Sequence, residues 1–150
     1  MLGCNRQWDN TCVPLGIYIS VPFCRSKCSY CNFASGVFAK NVFDHYVQRV
    51  CADVRSAETT AAQVGGNFEP EVDSIYLGGG TPTLLEPVQL ERIFAAVRER
   101  FDVFSASEIT VECAPGTLTP RLLETLVQCG VNRISLGVQS FVDQETRAGP

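Results

Sequence analysis

Cys24, Cys28 and Cys31 lie in the run Val21-Pro22-Phe23-Cys24-Arg25-Ser26-Lys27-Cys28-Ser29-Tyr30-Cys31-Asn32-Phe33, at the spacing C-x3-C-x2-C. Three thiolates suit a 4Fe–4S cluster and leave one iron without a protein ligand. Such an iron can bind a small molecule and pass it an electron. A structural zinc wants four ligands, often as two C-x2-C pairs, and the sequence has no second pair. The plain alternative is a set of loop cysteines in a cysteine-rich chain. Cys4, Cys12, Cys51, Cys113 and Cys129 share no such spacing and read as packed or incidental residues. His45, the one histidine, falls on the polar side of a helical pattern and reads as a surface residue.

Three more segments carry residues that packing does not require. Gly78-Gly79-Gly80-Thr81-Pro82-Thr83 follows an apolar stretch. Glycines there can mark a tight turn, or they can let backbone N–H and C=O groups approach a ligand's amine and carboxylate. The run lacks the G-x-G-x-x-G and P-loop patterns. Glu112 ends another apolar stretch, where a carboxylate is costly unless paired. It can accept hydrogen bonds from a ribose or hold an ammonium, or it can form a buried ion pair with Arg133. Gln139 can donate to a ligand or bridge neighbouring strands.

The elements that must position these residues alternate. Gly16 to Val21 is β-branched and closed by Pro22, a strand signature. From Asn41, Val42, Phe43, Tyr46, Val47, Val50, Val54 and Ala57 recur at three- and four-residue steps, which predicts one amphipathic helix ending near Gly65-Gly66. Asp73 to Leu77 reads as a second strand, and a helix with Pro87 in its first turn follows. Glu108 to Cys113 reads as a third strand. Thr119-Pro120 opens a helix that Gly130 ends. Arg133 to Val138 is a fourth strand. This order predicts an α/β fold with parallel strands and right-handed crossovers, about four βα units in all. The strands are apolar at nearly every position, as strands covered on both faces require. Each unusual segment then falls at the carboxyl end of a strand, where parallel α/β sheets and barrels build their sites.

Composition narrows the classes. The chain has 150 residues and a net charge of −4, ample for one domain core. It shows no Lys/Arg cluster suited to nucleic acid and no apolar run long enough to span a bilayer. Residues 1–15 read as an irregular lead-in without a secretory signal. That absence leads us to expect a cytoplasmic chain, where clustered cysteines favour metal over disulfides.

Taken together, Tyr18 to Phe33, Gly78 to Thr83, Glu112 to Thr117 and Asn132 to Phe141 resemble the radical S-adenosylmethionine (SAM) superfamily. The likeness is to the branch holding oxygen-independent coproporphyrinogen III oxidases and HemW-type haem chaperones, and it runs from about Gly16 to Gln144. The oxidases carry a further cysteine two residues past the third cluster cysteine. Phe33 stands there, as in the chaperones. Two departures are Ser20, where the family usually has His, and Ala114, where it often has Asn.

The resemblance implies residues 16–150 of a partial (β/α)6 barrel of the TIM type, with later barrel units, a C-terminal domain and further SAM contacts beyond Pro150. It implies that Cys24, Cys28 and Cys31 bind the cluster and that Gly79, Gly80 and Thr81 hold the methionine part of SAM. Tyr18 is then beside the cluster, Tyr30 packs on the adenine, and Glu112 and Gln139 hold the ribose and methionine portions. Reduction cleaves the sulfonium to a 5′-deoxyadenosyl radical. The partners implied are haem or a porphyrin, with haem bound outside this chain, and an electron donor such as flavodoxin or ferredoxin. A small iron–sulfur or zinc protein without SAM chemistry is the alternative of another class.

Overall fold

The computed structural model describes residues 13–142 and 144–145; Cys4, Cys12 and most of the lead-in lie outside them. Four strands, β1 (Leu15–Val21), β2 (Glu71–Gly79), β3 (Asp102–Cys113) and β4 (Arg133–Leu136), form one parallel sheet in the order β1-β2-β3-β4. The helices between them are α1 (Phe43–Arg55), α2 (Ala57–Gln63), α3 (Pro87–Arg100) and α4 (Pro120–Gln128). The expected α/β alternation is therefore present, with differences in extent; β2, for one, is longer at both ends than the expected Asp73 to Leu77.

The single helix expected from Asn41 is broken at Ser56. There the backbone N–H turns to Ala52 O and Val54 O, and the hydroxyl donates to Asp53 O at 3.1 Å. The third strand starts at Asp102, earlier than its aliphatic core suggests. It reaches β2 through an irregularity: Val72 pairs with Val103, but Ser74 pairs with Glu108. The fourth strand ends at Leu136 rather than Val138.

Helix starts follow local chemistry. Pro87 opens α3 behind a capping box in which the Glu86 N–H donates to Gln89 Oε1 at 2.9 Å. Thr119 caps α4 by accepting the Leu122 N–H at 3.2 Å. Thr119→Ala is expected to destabilise the fold by about 1 kcal/mol, read as a lowered denaturation midpoint with an unchanged slope.

One core holds the layers together. Phe43, Val47 and Cys51 of α1, Leu90, Ile93, Phe94 and Val97 of α3, and Leu122 and Leu126 of α4 bury against Ile19, Val21, Ile75, Leu77, Ile109 and Val111 of the sheet. Among the described residues the helices pack against one face of the sheet. The opposite face carries Tyr18, Ser20, Tyr76 and Glu112, of which the first two are exposed and the others half-buried. Parallel pairing aligns Tyr18 with Tyr76, Tyr76 with Thr110, and Thr110 with Arg133 across the four strands. Side chains alternate along a strand, so one face is aliphatic and the other is polar and aromatic.

Candidate functional site

All four strands run the same way, so the cysteine loop, the glycine run, the segment after Glu112 and Gln139 leave from one edge of the sheet. The cysteine loop is closed at its neck by backbone. Cys24 N–H donates to Gly36 O and Gly36 N–H donates to Pro22 O, both at 2.9 Å. Phe23 anchors that neck. Its ring stacks on Phe43 at 3.8 Å between centroids and meets Phe38 and Tyr46 edge-on. Within the loop Cys31 N–H donates to Cys28 O at 3.1 Å. The Lys27 ammonium donates to Phe33 O at 2.8 Å and Ser35 O at 3.0 Å, tying the returning strand of the loop to its start.

Cys24, Cys28 and Cys31 are free thiols, each half-buried. The Cys31 thiol is held below the usual range by a hydrogen bond from the Phe33 backbone, by Ser35 and by the Lys27 charge. Tyr30 is exposed, and its hydroxyl is pushed up by a hydrogen bond to Cys28. Among the described residues, no three His, Cys, Asp or Glu side chains converge on a single ion position.

The glycine run lies directly against the cysteine loop. Gly80 N–H donates to Val21 O and Thr81 N–H donates to Phe23 O, both at 2.7 Å. A Cβ on residue 80 would fall 2.6 Å from Phe23 O, 2.9 Å from Val21 O and 3.0 Å from Cys24 Sγ. Gly79 adopts φ 101°, and a Cβ there would fall 2.7 Å from Ser20 Oγ. The third segment is joined to both. Thr83 and Thr117 share a buried hydroxyl bond at 2.6 Å, and Arg25 reaches Gly116 O at 3.5 Å.

Glu112 is not the partner of Arg133. Arg133 pairs with Glu108 at 2.6 Å, while Glu112 accepts the Tyr76 hydroxyl at 2.7 Å and the Gly79 N–H at 3.0 Å. The carboxylate thus sits against the glycine turn. Tyr18 stands beside it, exposed, with its ring stacked on Tyr76 at 5.8 Å.

Gln139 follows β4 in an exposed position with φ 64°. It makes no side-chain hydrogen bond to the described residues, and its amide nitrogen lies near Gly137. Sequence reasoning passed over Tyr76. The available signal was a phenol on the same strand face as Gly78, two residues ahead of the glycine run. His45 is exposed, as expected. Cys51, Cys113 and Cys129 are buried on the helix side, and burial pushes the Cys113 thiol up to about 11.

A loop of three free thiols, seated on a Cβ-free turn with a carboxylate beside it, is the arrangement expected of a cluster that shares its open iron with an amino acid. Residues 18–148 match the Radical SAM superfamily, and the chain belongs to it. Membership implies SAM and a 4Fe–4S cluster as cofactors. Among individual proteins, the chain is similar to the heme chaperone HemW of Lactococcus lactis, with 37% identity over 85% of this chain and 31% of that protein. It is also similar to the oxygen-independent coproporphyrinogen III oxidase of Bradyrhizobium diazoefficiens, with 39% identity over 83% of this chain and 27% of that protein. The fold superposes on the coproporphyrinogen III oxidase HemN of Escherichia coli, a radical SAM enzyme, with TM-score 0.75 and 30% identity. That match covers 89% of this chain and 30% of the other. The chain spans about a third of the length of the curated relatives it matches.

Proposed function

We propose that the chain forms the cofactor-binding part of a HemW-like haem chaperone with a radical SAM core. The observation that carries this reading is the seat of Cys24 on Gly80. It brings the cysteine loop and the glycine turn to van der Waals distance, where one ligand can touch both. Cys24, Cys28 and Cys31 hold three irons. Gly79, Gly80 and Thr81 receive the methionine part of SAM, while Glu112 and Gln139 take its ribose and methionine portions. Tyr18 lines the site and Tyr30 packs on the adenine. Ligand thiols must be deprotonated, and the lowered Cys31 thiol suits that need. When bound, the cluster and SAM supply one-electron cleavage of a sulfonium; the protein orients the pair and excludes water. Phe33, where the oxidases have cysteine, favours the chaperone. Haem or a porphyrin is the partner, a flavodoxin or ferredoxin the electron donor, and the cytoplasm the compartment. Among the described residues no helix is long and apolar enough to cross a membrane.

A second reading, coproporphyrinogen III dehydrogenase, is favoured by the oxidase relative and the matching fold. Anaerobic reconstitution of the full-length protein tests both. We expect cluster absorption, a change in the reduced-cluster EPR signal on adding SAM, stoichiometric haem binding and no decarboxylation of coproporphyrinogen III. Turnover without haem retention selects the dehydrogenase. Zinc in place of iron, or a cluster indifferent to SAM, overturns both.

A further inference from the structure

We infer that Tyr76 is a positioning residue: its hydroxyl fixes the Glu112 carboxylate against the Gly78–Gly80 turn and so sets how tightly that turn binds the polar groups of SAM. The inference rests on the proposed role of Glu112.

The geometry is a two-point hold. Tyr76 donates to Glu112 Oε1 at 2.7 Å and Gly79 N–H donates to Oε2 at 3.0 Å. An ionised carboxylate has about four lone-pair sites, so each oxygen keeps capacity for a ligand while its plane is fixed from both ends. Tyr18 stacks on the Tyr76 ring at 25° between planes and restrains it. Gly78 makes the pair possible. A Cβ there would fall 2.7 Å from the Tyr76 ring and 2.8 Å from Glu112 Oε2. The Tyr76 hydroxyl is raised above its usual value, first by the hydrogen bond to Glu112, with Ser135 and Arg133 opposing. That is the response of a phenol whose neutral form donates to a carboxylate.

The bond lies on the face of the sheet opposite the aliphatic core. Its loss is expected to leave folding close to that of a surface substitution and to register in ligand binding instead. In the full-length, anaerobically reconstituted protein, Tyr76→Phe is expected to weaken SAM binding about tenfold, the scale of one hydrogen bond to a charged group. SAM itself is the probe, titrated against the EPR signal of the reduced cluster. Iron content and the spectrum without SAM are expected to stay unchanged. Glu112→Gln is expected to cost more affinity, and adding Tyr76→Phe to it is expected to cost nothing further. Unaltered affinity in Tyr76→Phe overturns the inference, and so does a second full loss in the double variant.

Tyrosine-13C NMR on the same protein reads the bond without SAM. The Tyr76 signal, identified by its absence from Tyr76→Phe, is expected to titrate at lower pH in Glu112→Gln. An unmoved titration overturns the inference whatever SAM does. A titration that moves while the parent ignores SAM instead overturns the cofactor role assigned to Glu112, and the positioning role with it, and leaves only the bond.

Discussion

Cys28→Ala is expected to abolish cluster assembly. Full-length protein carrying it, reconstituted anaerobically, should retain neither iron nor acid-labile sulfide, and Cys24→Ala and Cys31→Ala should behave alike. The reason lies in how the three thiols are mounted. They share one loop, closed at Cys24 and Gly36 and tied internally by Lys27, and each would carry a different iron. Removing one leaves a second iron without a protein ligand. The controls lie on the other side of the sheet. Cys51, Cys113 and Cys129 are buried against helices, so Cys51→Ala, Cys113→Ala and Cys129→Ala should keep full iron content. A Cys28→Ala protein that still binds a complete cluster would contradict the ligand assignment.

Gly80→Val is expected to break the site from the other direction. The backbone of residue 80 donates to Val21 O, and a side chain there meets Phe23 O, Val21 O and Cys24 Sγ at once. Two of these obstacles are backbone and cannot swing aside. Overpacking of this kind destabilises by roughly 3 kcal/mol, and the strain falls where the neck of the cysteine loop meets β2. We expect a lowered urea midpoint together with loss of iron. Gly116→Ala provides the contrast. That residue has φ 74° but open space around its Cβ direction, so it should lose stability by about 1 kcal/mol while keeping its cluster. Equal iron content in Gly80→Val and the parent would refute the seat of Cys24 on the glycine turn.

Much of the scaffold was legible because local chemistry dictates it. Pro87 and the Thr119-Pro120 pair mark helix starts that the structure reproduces. Each strand core was visible as an aliphatic run. The break at Ser56 was not, because Val54 and Ala57 keep the apolar period running through it. The early start of β3 was hidden because Asp102 to Ser107 mixes polar and apolar residues with no aliphatic run and joins the sheet through an irregular register. The polar character of the second face was concealed by its own residues, since Tyr18 and Tyr76 count as apolar in a composition yet present phenols to one side.

The site divides in the same way. The C-x3-C-x2-C spacing and the glycine run are each contiguous in the chain, so both can be picked out without knowing the fold. The partner of Glu112 depends on pairing between distant strands. Thr110 lies opposite Arg133, which puts the arginine two positions from both Glu108 and Glu112. Either pairing satisfies the register. The choice falls to Glu108 because Tyr76 and Gly79 already hold Glu112, and no single stretch of sequence records that competition.

The neck joining Cys24 to Gly36, the Phe23 anchor and the Lys27 tie are all made of protein alone. These restraints are separate from one another, so severing the Lys27 tie slackens the interior of the loop and leaves its base shut.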